Sequence, residues 1–288
     1  MLPSLRRLGA AVLLLASTTT AQLQQVTNFG ENPTNVQMYV YRPAQVSPNP
    51  AIIVAMHYCT GTAQAYYQGT QYARLADSKG FIVIYPDAPD SGGCWDVHSD
   101  QTLTHDAGGD SLGIASMVRY ALQEYGADPE KVFMAGSSSG AMMTNVLAGA
   151  YPDLFKAGSS FSGVPYGCFQ GPGMWNSACA QGQLTKSAQE WGDMVRAGYP
   201  GYDGPRPRLQ MWHGSADTTL SYNNFAEANK QWSNVFGIEQ TGEEANTPRP
   251  GYTKLIFGDG TQYEAYSAQG VGHNLPDFSV EAVEWFGL

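Results

Sequence analysis

"KVFMAGSSSGAMM", Lys131–Met143, sets three serines between two glycines, after one short apolar run and before another. Gly136-Ser137-Ser138-Ser139-Gly140 matches G-x-S-x-G in a single register, with Ser138 at its centre. In a chain with 33 glycines the pattern alone is weak, so its surroundings decide. "KVFMA" reads as a buried strand and "AMMTNVLAGA" as a helix, which makes the serines the apex of a sharp strand-to-helix turn. Such a turn forces its apex residue into a strained backbone conformation, and flanking glycines let neighbouring chain approach without a clash. Ser138 then projects at the carboxyl edge of a sheet, where open α/β folds gather their sites. Ser137 and Ser139 point elsewhere, but Ser139 keeps a backbone N–H at the helix start that can face a developing oxyanion.

A serine hydroxyl is a poor nucleophile at neutral pH, so this reading requires a histidine to take its proton and a carboxylate to orient that histidine. Of the five histidines, His57, His98, His105, His213 and His273, the last lies in "AQGVGHNLPDF", between the last predicted strand and the last helix. From such a loop an imidazole can reach back over the sheet. The acid is expected between Ser138 and His273 in the chain. Asp217, in "LQMWHGSADTTLSY", follows a predicted strand end, whereas its rival Asp203 follows none. A second oxyanion donor is expected from an early strand-to-helix loop, and "AIIVAMHYCTGTAQ" offers the Cys59 N–H beside that of Ser139. No H-E-x-x-H or comparably spaced metal set occurs and the histidines are scattered, so neither a metal nor another cofactor is expected. His98 and His105 read as loop residues.

Outward from the serines, short apolar runs at Val36–Tyr41, Ala51–Met56, Phe81–Tyr85, Lys131–Ala135, Ala157–Phe161, Leu209–Trp212 and Tyr252–Phe257 predict strands. Helical stretches fall at Ala63–Ser78, Asp110–Tyr125, Ala141–Ala150, Tyr222–Phe236 and Phe278–Phe286. The inner runs lack polar alternation, as strands covered on both faces do. The alternation predicts an α/β fold with a mostly parallel central sheet flanked by helices, opened by an antiparallel pair near Leu23–Tyr41. Residues 163–207, rich in glycine and proline, read as an insertion decorating the sheet and shaping the substrate cleft, with one helix at Ala188–Ala197.

Residues 1–21 have Arg6 and Arg7, an apolar run from Leu8 to Ala16 and a small-residue end at Ala21, the layout of a secretory signal peptide. The expected mature chain, 22–288, fits one catalytic domain, secreted and extracellular. The formal net charge of −10 argues against nucleic-acid or membrane partners and suits a neutral substrate. Four cysteines, Cys59, Cys94, Cys168 and Cys179, suggest two disulfides with three connectivities open, of which Cys59–Cys94 with Cys168–Cys179 is preferred. Available pairing with Cys94 also disfavours Cys59 as a thiol nucleophile.

Together "MHYCTGTAQ", "YPDAPDSGGCWDV", "GSSSGAMMTNV", "HGSADTTL" and "GHN" resemble the secreted fungal acetylxylan esterases of carbohydrate esterase family 1. The resemblance implies an α/β-hydrolase fold, with Ser138 as nucleophile, His273 as general base and acid, Asp217 as its orienter, and Cys59 and Ser139 as oxyanion donors. It implies the same two disulfides, and acetylated xylan or a related plant cell-wall polysaccharide as partner. Feruloyl esterases and poly(3-hydroxybutyrate) depolymerases share these blocks, so an aromatic or polyester substrate is the runner-up, and a carbohydrate-binding protein on a hydrolase scaffold is the non-enzymatic alternative. Where those relatives often read His-Gly-Cys, this chain has Tyr58. No cellulose-binding module is expected after Leu288. Trp95, Trp175 and Tyr58 are candidate sugar contacts, whereas Trp212 reads as core and Trp232 is the weaker alternative.

Overall fold

Residues 21–288 are described by a computed structural model. The predicted signal peptide therefore lies outside the described residues, apart from Ala21. The first half runs β1 (Leu23–Val26), β2 (Gln37–Tyr41), β3 (Ile52–Met56), α1 (Ala63–Gly69), α2 (Tyr72–Lys79), β4 (Ile82–Asp87), α3 (Asp100–Leu103), α4 (Gly109–Glu124) and β5 (Val132–Ser137). The second half runs α5 (Ser139–Ala150), β6 (Ala157–Phe161), α6 (Ser177–Ala180), α7 (Ala188–Ala197), β7 (Arg208–Gly214), α8 (Asn223–Phe236), β8 (Gln240–Ala245), β9 (Tyr252–Phe257), β10 (Tyr263–Ala268) and α9 (Ser279–Phe286).

Among the described residues the strands form one ten-stranded sheet in the order β1-β2-β4-β3-β5-β6-β7-β10-β9-β8. From β4 to β10 along that order the neighbours are parallel. Antiparallel pairs close both ends. Successive side chains of a strand point to opposite faces, and here each face is dry. Ile52, Val54 and Met56 of β3 join one core cluster while Ile53 and Ala55 join the other. β5 divides in the same way, Val132 and Met134 against Phe133 and Ala135. The continuous apolar runs of the sequence follow from this double coverage.

Three departures from the sequence reading have local causes. The single helix expected over Ala63–Ser78 breaks between α1 and α2, where the Thr70 hydroxyl donates 2.6 Å to the Tyr66 carbonyl and Thr70 turns extended. Strand β8, "QTGEEA", is an almost wholly exposed edge with no apolar pattern to reveal it. Strand β10 hides its burial because Glu264 interrupts it, yet that carboxylate is buried against Lys254 Nζ at 2.6 Å and Gln210 Nε2 at 2.8 Å. His273 accordingly follows β10 rather than β9.

The insertion over 163–207 carries α6 and α7, and α7 is docked on α8 by Trp191 Nε1 donating 2.7 Å to Glu227. Both preferred disulfides are present, Cys59–Cys94 and Cys168–Cys179.

Candidate active site

The turn between β5 and α5 is built by what its glycines allow. A Cβ on Gly136 would run into the Gly140 carbonyl, and one on Gly140 into the carbonyls of Met56 and His57. With that space open, strand and helix approach closely enough for Ser138 to take φ 55°, ψ −115°. A non-glycine residue held there costs about 1–3 kcal/mol. The conformation is fixed from outside by the Ser138 N–H donating 2.8 Å to the Phe161 carbonyl of β6.

Ser138 Oγ lies 2.8 Å from His273 Nε2, and His273 Nδ1 lies 2.7 Å from Asp217 Oδ2. An ionised carboxylate only accepts, so Nδ1 carries the ring proton and Nε2 is left to accept from the serine hydroxyl. The His273 carbonyl is anchored by the Ser162 hydroxyl at 2.9 Å. Asp217 Oδ1 receives the Thr219 and Leu220 N–H groups, each at 2.9 Å. Burial works to raise its pKa, but hydrogen bonds from His213 and His273, the Leu220 N–H and the charge of His273 outweigh it. The carboxyl is thereby held well below the usual carboxylate range.

His213 was not singled out by sequence reasoning. Buried at the end of β7, its Nε2 lies 3.1 Å from Asp217 Oδ2 and 2.9 Å from the Leu220 carbonyl. The available signal was its place four residues before the acid, across the turn that ends a strand. Asp203 lines a different groove with Arg196 and Arg206 and does not join His273. His105 is stacked on Tyr199 at 3.6 Å between centroids, and His98 Nδ1 is bonded to the Gly171 carbonyl at 2.9 Å. Among the described residues no group of three or more His, Cys, Asp or Glu side chains is arranged to hold a metal.

As the first residue of α5, Ser139 has an N–H with no partner inside the helix. The Cys59 N–H has no hydrogen-bond acceptor among the described residues. Beside the serine opens a cleft of about 370 Å³, walled by Tyr58, Tyr66, Tyr72, Leu275 and Phe278 and floored by Ser138 and His273. Tyr66 is buried, its hydroxyl 3.0 Å from Ser137 Oγ, and burial pushes its pKa well up.

The aromatic candidates separate. Tyr58 is 43% exposed on the cleft wall. Trp95 is corrected: it is 1% exposed, with its indole N–H spent on the His57 carbonyl, so it offers no face to a sugar. Trp175 is 54% exposed and edge-on to Phe169, but it is not a wall of the cleft. Trp212 and Trp232 are core residues. Among the described residues none of 163–207 is a wall of this cleft, and α7 packs on α8.

A family model described as esterase PHB depolymerase matches residues 36–176. Feruloyl esterase B of Thermothelomyces thermophilus is 51% identical over 98% of both chains. Probable acetylxylan esterase A of Aspergillus niger is 52% identical over 93% of this chain and 90% of its own. The solved acetyl xylan esterase from Aspergillus awamori superposes with a TM-score of 0.90 at 51% identity, covering 92% of this chain and 99% of that one. The chain is a carboxylic ester hydrolase of the α/β-hydrolase fold and belongs to the family of the acetylxylan esterases and feruloyl esterases B.

Proposed function

We propose that this chain is a secreted serine esterase that removes acetyl groups from acetylated xylan, with Ser138 as nucleophile, His273 as general base and acid, and Asp217 as its orienter. The observation that carries the reading is the unbroken line of hydrogen bonds from Ser138 Oγ through His273 to Asp217, opening into the cleft. Ser138 Oγ attacks the acetyl carbonyl while His273 Nε2 takes its proton. The oxygen of the tetrahedral intermediate is received by the Cys59 and Ser139 N–H groups, each worth about 10²–10³ in rate at comparable sites. On collapse the carbon–oxygen bond to the sugar breaks and His273 returns the proton to the departing sugar oxygen. Water then attacks the acyl-serine, His273 again taking a proton, and acetate leaves as Ser138 is restored. Asp217, held ionised by its four donors, stabilises the transient imidazolium.

Acetylated xylan as substrate is supported by the relatives named acetylxylan esterases. Tyr58 and Trp175 are the sugar contacts of this proposal. Secretion rests on the leader in the sequence, and two disulfides agree with an oxidising compartment. One sheet running from Leu23 to Ala268 supports a single catalytic domain over 22–288.

The cleft favours a second reading, a feruloyl esterase. About 370 Å³ falls inside the range of roughly 300–1,000 Å³ that suits drug-sized ligands, more than a two-carbon acyl group fills. Its tyrosine, leucine and phenylalanine walls suit an aromatic acyl chain. Purified protein incubated in parallel with acetylated xylan, methyl ferulate and a short-chain polyester decides between them by the acids released. Acetate released fastest, with Ser138→Ala folded and inactive, supports the first reading. Preferential ferulate release replaces it with the second, and wild-type turnover by Ser138→Ala removes both.

A further inference from the structure

The two oxyanion donors sit on different elements, Cys59 in the loop after β3 and Ser139 at the start of α5. Their separation must be held closely, because a donor works only if aimed at where the oxyanion will be. The sequence offers no obvious link between them.

The link is the segment Cys94-Trp95-Asp96, which is tied down at each of its three residues. Cys94 is bridged to Cys59. The main-chain N–H of Trp95 donates 2.8 Å to Ser139 Oγ, and its indole N–H donates 2.8 Å to the His57 carbonyl. The Asp96 N–H donates 2.8 Å to Asp110 Oδ2, on a carboxyl only 1% exposed. One buried tryptophan thus holds both halves of the oxyanion site through two different N–H groups.

Its ring also lies 5.0 Å from that of His57, which continues the chain of contacts. The Tyr58 carbonyl, 2.8 Å from His57 Nδ1, can only accept, so Nδ1 carries a proton and donates to it, while Nε2 meets the Ala88 N–H at 3.1 Å and Asp87 Oδ1 at 3.2 Å. The Gly61 N–H reaches the same carbonyl at 2.9 Å. A trans peptide is planar, with its C=O and N–H pointing opposite ways. Two donors clamping the Tyr58 carbonyl therefore fix the aim of the Cys59 N–H on the other side.

We propose that Trp95 is a positioning residue of this esterase, a brace that fixes the spacing and aim of the Cys59 and Ser139 donors through His57 and the Ser139 hydroxyl. The inference rests on the Ser138 reading above. Trp95 touches no substrate, and its effect falls on the tetrahedral intermediate rather than on binding of the ester.

The test compares Trp95→Phe, which keeps an aromatic ring and the main-chain N–H but deletes the indole N–H, with Ser139→Ala, which deletes the other anchor and keeps the donor N–H. Both are assayed on p-nitrophenyl acetate and against a trifluoromethyl ketone, which forms a reversible tetrahedral adduct on a serine. The expected result is kcat lowered on the order of tenfold, KM within about twofold, and inhibitor Ki raised by the same factor as kcat falls. Should Trp95→Phe fail to fold, Ser139→Ala gives the same readout from the opposite anchor. Folded variants with wild-type kcat and Ki overturn the brace, as does a rise in KM with kcat and Ki unchanged. Ser138→Ala in the same assay separates the two levels: if it is inactive while Trp95→Phe and Ser139→Ala keep wild-type kcat and Ki, the brace fails and the nucleophile stands, and if it retains turnover the underlying reading fails.

Discussion

Asp217→Asn changes one atom and reverses a hydrogen-bond polarity at the centre of the site. If the amide oxygen keeps the place of Oδ1, accepting Thr219 and Leu220, the new NH₂ faces the His213 and His273 ring N–H groups. If the amide flips, the NH₂ faces two backbone N–H groups instead. Either way donors meet donors at a side chain with 0% exposure, and each buried partner lost costs about 1–3 kcal/mol. The expected loss of stability is about 2–5 kcal/mol. In the first orientation His273 is driven to carry its proton on Nε2, where it can no longer accept from Ser138. Comparable sites lose about 10⁴ in kcat on this change, which is about 5 kcal/mol of barrier. The assay is kcat on p-nitrophenyl acetate together with chemical unfolding at several pH values. Because the Asp217 carboxyl is depressed in the fold, its contribution is fully present above its unfolded value near 4 and is lost as pH falls through the folded one. The stability gap between wild type and variant therefore narrows in acid. Activity within tenfold of wild type refutes the orienting role, and a gap that widens in acid refutes the electrostatic account.

Asp110 carries the opposite sign. Burial pushes its carboxyl from 3.8 up to about 6, against the hydrogen bond from the Asp96 N–H that pulls it down, with the charges of Asp96 and Asp90 adding to the rise. The fold therefore binds that proton more tightly than the unfolded chain, and its stability contribution is full below about pH 4 and lost as pH rises through about 6. The whole excursion is worth about 3 kcal/mol, and Asp110→Asn removes it, seen as a flatter dependence of unfolding free energy between pH 4 and 8. An unchanged slope contradicts it. Replacing Cys168 and Cys179 together by serine opens a loop of sequence separation 11, and neither cysteine is among the cleft walls. Chain entropy gives a stability loss of about 3 kcal/mol, read by denaturant unfolding, with kcat on p-nitrophenyl acetate unchanged; a large fall in kcat places that bridge in the catalytic apparatus.

Where a residue's role is written in local pattern, the sequence disclosed it. The β5 turn is legible because strand, glycines and helix must occur together for Ser138 to reach its positive φ. α7 is found at Ala188–Ala197 as expected, its start marked by a capping box between Ser187 and Glu190. Roles that depend on distant partners were not legible. Glu264 looks like a break in a strand until Lys254 and Gln210 are seen to neutralise it. Trp95 in a glycine-rich loop has the composition of a sugar platform, and only the positions of His57 and Ser139 show both its N–H groups to be spent inside. His213 differs from any other strand-end histidine only through the fold of the turn that brings Asp217 back to it.

The most direct measurement is covalent labelling with a fluorophosphonate, in which the activated serine oxygen displaces fluoride from phosphorus, followed by mass-spectrometric mapping of the modified residue. Ser138 stands between two other serines, so the site of attachment distinguishes the proposed apex from its neighbours. One label per chain on Ser138, with loss of esterase activity in proportion, is the predicted result. A label on Ser137 or Ser139, or full activity in chains labelled at Ser138, contradicts the account.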